Sequence, residues 1–313
     1  MSFLAIILSI LAILFIGLYL ASFLSVQRAQ AKFPPIGKFL NAKGIRLHYL
    51  CSGQGRPVVL VHGNPGFIQD YSPAVLSKVA QEYQVCAFDR PGHGYSDRPQ
   101  NASVTPLVQA QLIHDALQQL EIEKPVLVGF SWGGALALAY ALEYPDELSG
   151  IVLLGTLAFQ RQRLNSLLEQ ISETPILGEL FRILLPITLG PQLVRQNLRR
   201  AFLPERIPRN YLKTAAALWP RPSQTRAVTQ DNLTINPTLA GLSQLYGEIK
   251  IPVVIVVGDN DLIVNAEENS LALNQAIAQS QLITLSNTGH VIPQAQPEAV
   301  LNAIRMIWEH QNA

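Results

Sequence analysis

The chain has 313 residues and a formal net charge of +1, from 23 Lys and Arg against 22 Asp and Glu. Such a balance gives no electrostatic reason to expect a nucleic-acid partner, and the length suits one large α/β domain with insertions or two small domains. Apolar residues make up 49% and charged residues 14%, an apolar excess that has to be concentrated in some segment.

The excess lies at the start. Phe3 to Val26 carries no charge and almost nothing polar, and a helix needs about 20 such residues to cross a bilayer. No basic residue precedes the run, and it exceeds the apolar core of about 7–15 residues found in a cleaved leader. Ala29-Gln30-Ala31 still offers an A-x-A-like cleavage site. The expectation is a single-pass anchor at 1–27 followed by a linker at 28–36, where Phe33-Pro34-Pro35 stands. Arg28, Lys32, Lys38, Lys43 and Arg46 follow the run, a charge bias that by the positive-inside rule favours the cytoplasmic side for the rest of the chain. The rule is weak for a single span followed by a large domain, and the periplasmic or extracytoplasmic side stays open.

Strand-like and helical stretches then alternate. Ile45–Leu50, Pro57–Val61, Val85–Phe88, Val126–Val128, Ile151–Leu154, Val253–Val257 and Gln281–Leu285 read as strands. Most are continuous Val/Ile/Leu runs, as in parallel strands buried on both faces. Pro73–Glu82, Pro106–Leu120, Gly133–Glu143, Glu267–Ala278 and Pro297–Glu309 read as helices. This rhythm predicts a mostly parallel sheet with helices on both faces. Residues 157–246 break it with helical patches and prolines but no strand, too long for a loop. They are expected to be a helical cap inserted into a core formed by 37–156 and 247–313. Cys51 and Cys86 both lie in strand-like runs, and two buried thiols are expected rather than a disulfide.

Four segments carry chemistry. Gly129-Phe130-Ser131-Trp132-Gly133-Gly134 follows a strand and opens a helix, a context in which glycines permit a sharp turn that presents the Ser131 hydroxyl. His62-Gly63-Asn64-Pro65-Gly66 directly follows Pro57–Val61. Backbone N–H groups of Trp132 and Asn64 are the candidate oxyanion donors, with His62 a structural residue of the loop. Gly258-Asp259-Asn260-Asp261 ends a strand and supplies two candidate acids, which are ordinary turn residues if no histidine meets them. Thr288-Gly289-His290 follows the last strand. His290 is the candidate base, since imidazole titrates near operating pH.

In order and spacing these segments, together with Asp89-Arg90-Pro91-Gly92-His93-Gly94-Tyr95-Ser96, resemble the α/β-hydrolase fold superfamily over about residues 36–312. The resemblance implies Ser131 as nucleophile, His290 as base and acid, Asp261 rather than Asp259 as the acid orienting His290, and Asn64 and Trp132 as oxyanion donors. Within the superfamily the chain is similar to esterase- and haloperoxidase-like members with a helical cap. His-Gly-Asn-Pro with a tryptophan after the nucleophile looks like haloalkane dehalogenases, in which Asn64 and Trp132 would hold halide through their side chains. Those enzymes attack with aspartate. Serine would give an ether with an alkyl halide, which does not turn over, so Ser131 favours an acyl substrate.

The chain also resembles proline iminopeptidases, through Ser-Trp-Gly and the following Leu136-Ala137-Leu138-Ala139-Tyr140. Such peptidases hold an amine with acidic groups. Residues 157–246 are instead rich in arginine, among them Arg161, Arg163, Arg200, Arg221 and Arg226, against few acids such as Glu169, Glu173 and Glu179. That surplus suits anionic headgroups, or simply a solvated face. The leading expectation is a membrane-anchored carboxylic ester hydrolase for an apolar, lipid-like acyl substrate. The alternatives are an aminopeptidase, a C–C bond hydrolase, and a non-catalytic binding protein on the same fold. The motifs imply no cofactor, no metal and no nucleic-acid partner, and leave the oligomeric state open.

Overall fold

In the computed structural model, residues 2–71, 73–100, 103–160, 172, 174 and 176–310 are described. Arg161, Arg163, Glu169 and Glu173 lie outside them. The apolar runs become one eight-stranded sheet: β1 (Lys38–Ala42), β2 (Ile45–Ser52), β3 (Pro57–Val61), β4 (Gln84–Phe88), β5 (Val126–Phe130), β6 (Gly150–Leu154), β7 (Val253–Gly258) and β8 (Ser280–Leu285), in spatial order β1-β2-β4-β3-β5-β6-β7-β8. The pairs β1–β2 and β2–β4 are antiparallel and all the others parallel. The doubly covered, mostly parallel sheet expected above is borne out.

Alternation along the strands feeds two apolar layers. Val59 and Val61 face one cluster, with Leu112, Ile113 and Leu136. Val58 and Leu60 face the other, with Val75, Ile304 and Ile307. The first layer comes from α3 (Pro106–Gln119) and α4 (Trp132–Glu143), the second from α2 (Ala74–Val79) and α11 (Pro297–His310). Helix α3 begins where Thr105 Oγ1 accepts from Val108 N (3.3 Å) and Pro106 occupies the first turn. Helix α4 is an Ala/Leu-rich run that stops before Pro145.

Between β6 and β7 the described residues form α5 (Leu177–Leu184), α6 (Gly190–Phe202), α7 (Arg209–Leu218) and the long α8 (Pro222–Leu242), with no strand among them. After β7 come α9 (Ala272–Ala276) and α10 (Ile292–Ala295).

Helix α1 spans Phe3–Lys32, with a mean hydropathy of 2.9 over its most apolar window and none of that window buried. It corrects the expected boundary at residue 28. Gln27 to Lys32 are adequate helix formers, and the helix ends only where Pro34-Pro35 enforces it. Its last third is not free. Ser22 is buried, Ser25, Val26, Ala29 and Gln30 are half-buried on the same face, and the helix contacts α5, residues 185–187 and α7.

The cysteines also require a correction. Cys51 and Cys86 form a disulfide, where two thiols were expected. They sit directly opposite each other across β2–β4 with Cα atoms 4.1 Å apart, a pairing that depends on sheet order and not on chain spacing.

Candidate active site

Ser131 occupies the turn between β5 and α4 with φ 53° and ψ −117°, a left-handed conformation unusual for a side chain-bearing residue. Its N–H donates to Leu154 O (2.8 Å), and its carbonyl accepts from Gly134 N. The turn packs so tightly that a Cβ on Gly133 would lie 2.4 Å from Val61 O, so only glycine fits there.

Three of the residues singled out above converge. Ser131 Oγ lies 3.0 Å from His290 Nε2, and His290 Nδ1 lies 2.7 Å from Asp261 Oδ2. The other oxygen, Asp261 Oδ1, accepts from the N–H groups of Ile263 (2.8 Å) and Val264 (2.9 Å) and is thereby fixed. His290 N donates to Ala201 O (2.9 Å), which ties its loop to α6. Gly155, at φ 49°, leaves room for the imidazole: a Cβ there would stand 3.2 Å from Nδ1. Asp259 does not meet the histidine. Its Oδ1 accepts from Thr288 N (3.2 Å) and braces the loop that carries His290.

Trp132 N and Asn64 N have no hydrogen-bond acceptor among the described residues, and both residues line the cavity above Ser131. Trp132 is the first residue of α4, where backbone N–H groups are unpaired by construction and the helix dipole favours an anion. The side chains of the same two residues point elsewhere. Asn64 Nδ2 donates to Val228 O (3.2 Å) and Asn232 Oδ1 (3.0 Å), and Trp132 Nε1 to Asp231 O (3.3 Å), all on α8. The side-chain donors that a halide site would need are therefore taken.

The cavity holds about 600 Å³ and is lined on the core side by Phe130, Ser131, Leu157 and His290, and from the inserted helices by Asn197, Leu198, Arg200, Tyr211, Trp219 and Val228. Ser131 and His290 are each 5% exposed, reachable through the cavity but shielded from bulk water.

Beneath the site lies a buried polar network that the motifs did not reveal. Arg90 Nη1 donates to Asp231 Oδ2 (2.7 Å) and Gln109 Oε1 (2.9 Å), its Nη2 to Gly63 O (2.8 Å) and its Nε to His62 O (3.0 Å). The guanidinium also stacks 4.1 Å from the Trp132 ring centroid. One arginine thus bonds the backbone of the His62-Gly63 loop and stacks on the side chain of Trp132. Asp231 also takes Arg98 Nη2 (2.9 Å) and contacts His93 Nε2 (3.0 Å). Burial would raise the Asp231 pKa, but the charge of Arg90 and the contacts of His93 and Arg98 outweigh it and hold it well below the usual carboxylate range. Burial, then the charge of Arg90, lowers His93 to about 4 and pushes His62 well down, so both imidazoles are neutral. His62 Nε2 accepts from Arg90 N (2.9 Å), a structural role as expected. The sequence signals for this network were Arg90 and His93 within Asp89-Arg90-Pro91-Gly92-His93 and His62 in its own loop; nothing pointed to Asp231.

A second buried acid, Asp70, accepts from Tyr211 OH through Oδ1 (3.0 Å), and its Oδ2 has no partner. Burial pushes its pKa up to about 8.

A mostly parallel sheet with hydrogen-bonded serine, histidine and aspartate side chains beyond the carboxyl ends of its strands is the arrangement on which α/β-hydrolase sites are built. The chain belongs to the α/β-hydrolase fold family, whose model matches residues 56–293. The 2-hydroxymuconate semialdehyde hydrolase of Pseudomonas sp. (strain CF600) is 28% identical over 266 residues, covering 84% of this chain and 90% of that protein. A thermophilic esterase from Thermogutta terrifontis superposes with TM-score 0.71 at 26% identity, over 88% of this chain and 99% of its own. A bacterial membrane phospholipase A shares the fold over 99% of this chain and 98% of its own, with TM-score 0.69 at 19% identity. The relatives are hydrolases of more than one bond type, and the chain is a hydrolase of this family.

Proposed function

We propose that the protein is a membrane-anchored serine hydrolase that cleaves carboxylic esters of apolar acyl groups. The observation that carries this reading is the relay from Ser131 through His290 to Asp261, at 3.0 and 2.7 Å, on the floor of a cavity where two backbone N–H groups stand free. Ser131 Oγ adds to the acyl carbonyl as His290 Nε2 takes its proton, and the oxyanion is received by the N–H groups of Trp132 and Asn64. The alcohol leaves with the proton from His290. Water, deprotonated by the same nitrogen, then releases the acid. Residues 157–246 act as the cap, supplying Leu198, Trp219 and Val228 as an apolar wall for the acyl chain.

A fluorophosphonate probe tests the nucleophile: wild type labels and Ser131→Ala does not. Absence of labelling in the wild type, or equal labelling of the variant, overturns the reading. One observation favours C–C bond hydrolysis as a second reading. Arg200 lines the cavity, and a cation there suits a carboxylate-bearing substrate such as the one named for the Pseudomonas relative. Turnover of 2-hydroxymuconate semialdehyde without turnover of p-nitrophenyl esters would reverse the order.

Helix α1 is the anchor in this reading. The helix continues unbroken through Ala29-Gln30-Ala31 and packs on the inserted helices, which favours retention over cleavage. The disulfide supports an oxidising compartment for the catalytic body. That opposes the cytoplasmic side expected from charge, and the charge rule is weak where a large domain follows a single span.

A further inference from the structure

A second cleft, of about 840 Å³, opens between the end of α1 and the core, away from Ser131. Its lining carries four arginines, Arg46, Arg98, Arg221 and Arg226, against one carboxylate, Asp97. Two of the four are exposed and paired at the surface, Arg46 with Asp97 (3.3 Å) and Arg226 with Glu179 (2.6 Å), where solvent weakens such pairs. The other two are less accessible, Arg98 half-buried and Arg221 buried. Arg98 donates from Nη2 to the network aspartate Asp231 and from Nη1 to Pro91 O (2.8 Å), but its Nε has no partner among the described residues. Arg221 is 2% exposed and, among the described residues, pairs with no carboxylate. Its Nε donates to Leu218 O (2.8 Å), its Nη2 donates to Gly94 O, and its guanidinium lies 5.0 Å from the Tyr95 ring centroid. Nη1 has no acceptor among the described residues.

A guanidinium taken out of water without a counter-ion is a costly arrangement, and proteins retain one where a ligand completes the charge. The planar fork of arginine matches phosphate in particular. The position of the cleft indicates the source of that phosphate. Gln30 lines it, and the apolar run of α1 ends at Val26. A helix of that length covers the hydrocarbon core of about 30 Å, so the residues just beyond it emerge among the headgroups. We infer that this cleft binds a phosphate-type anion through Arg46, Arg98, Arg221 and Arg226, supplied by the headgroup of an anionic phospholipid. The phosphate chemistry rests on the cleft alone. The lipid source rests on the anchor reading given above.

The test uses the full chain in non-ionic detergent, on a Ser131→Ala background so that no lipid is turned over. Binding is read from the shift in the thermal unfolding midpoint on titration with dihexanoyl-phosphatidylglycerol, dihexanoyl-phosphatidylcholine or inorganic phosphate. The expected result is at least tenfold tighter apparent binding of the glycerol lipid than of the choline lipid, weakened by salt. Adding Arg46→Gln and Arg226→Gln, at two exposed positions, should remove most of that preference while the far-UV circular dichroism stays unchanged. Inorganic phosphate stabilising as well as phosphatidylglycerol would keep the anion site and assign it to the free ion. Equal binding of the two lipids with no effect of phosphate, or a preference that survives the double substitution, would overturn the inference. No bilayer is present in this assay, so its failure is separate from failure of the anchor, which alkaline carbonate extraction reports.

Discussion

Ser131, Asp261 and His290 each follow a glycine within three residues (Gly129, Gly258 and Gly289), beyond the carboxyl end or at the last residues of a strand, and this local grammar is what made them readable from the sequence. Choosing Asp261 over Asp259 needed the family pattern. The geometry supplies a physical ground for it: Asp261 turns its free oxygen to the imidazole, while Asp259 is spent on Thr288 N. Asp261→Asn keeps the size but loses the charge that holds the imidazole's tautomer. Its kcat toward a p-nitrophenyl ester should fall by about 10³–10⁴ with KM little changed. Asp70 was not legible, because its partner Tyr211 lies 141 residues away. Its folded pKa, pushed up by burial to about 8, stands above the ordinary carboxylate value of 3.8. The native state therefore holds the proton more tightly, and the Asp70 contribution is full below about pH 4 and lost as pH rises through 8. Asp70→Asn, neutral at every pH, should remove this slope, which reaches at most ~1.4 kcal/mol per pH unit. Urea unfolding at pH 5, 7 and 9 checks it. An identical slope in wild type and variant would show that Asp70 is charged throughout.

At the level of elements, the buried parallel strands were readable as continuous apolar runs, and β1 was not. Lys38-Phe39-Leu40-Asn41-Ala42 is an antiparallel edge strand, exposed over most of its length, and its apolar residues are interrupted and do not form the continuous run of a strand buried on both faces. How the helices between β6 and β7 attach was not readable from the sequence. The attachment runs through Asp231 on α8, which pairs with Arg90 and Arg98 with no exposed side-chain surface of its own. Asp231→Ala leaves two buried guanidinium groups uncompensated, and breaking such a pair from one side costs about 3–5 kcal/mol. The expected outcome is a fall in Tm on the order of 10 °C by calorimetry, together with lost activity as Trp132 and the His62-Gly63-Asn64 loop relax. Because the folded pKa of Asp231 is lowered, its contribution is complete at neutral pH and is lost only as pH falls into the strongly acid range.

For the whole molecule, α1 was visible as an apolar run, but its packing against α5, residues 185–187 and α7 was not, since nothing in the chain order brings these segments together. The disulfide was missed for the same reason, as β2 and β4 are neighbours in space with β3 between them in sequence. If α1 is a retained anchor, the chain should resist alkaline carbonate extraction and keep an amino terminus ahead of Lys32. If the disulfide reports the compartment, protease added to intact cells or spheroplasts should remove the catalytic body. A soluble chain beginning at Lys32 would instead identify residues 1–31 as a leader. A protected catalytic body would restore the cytoplasmic side expected from charge.

The attachment of α8 divides the insertion mechanically. Swinging α8 outward would strip Arg90 and Arg98 of their counter-ion and break the hold of Asn232 and Val228 on Asn64. That half of the roof behaves as masonry. In the proposed reading, traffic of substrate and product would then fall to the opposite rim, where Leu262 and Ile263 line the cavity with α6 and, among the described residues, Arg200 Nη2 bonds to Leu262 O at 3.3 Å, an exposed contact that is cheap to break. The turnover rate of such an enzyme would be governed by how often that rim parts, and not by any opening of the long helix above the oxyanion position.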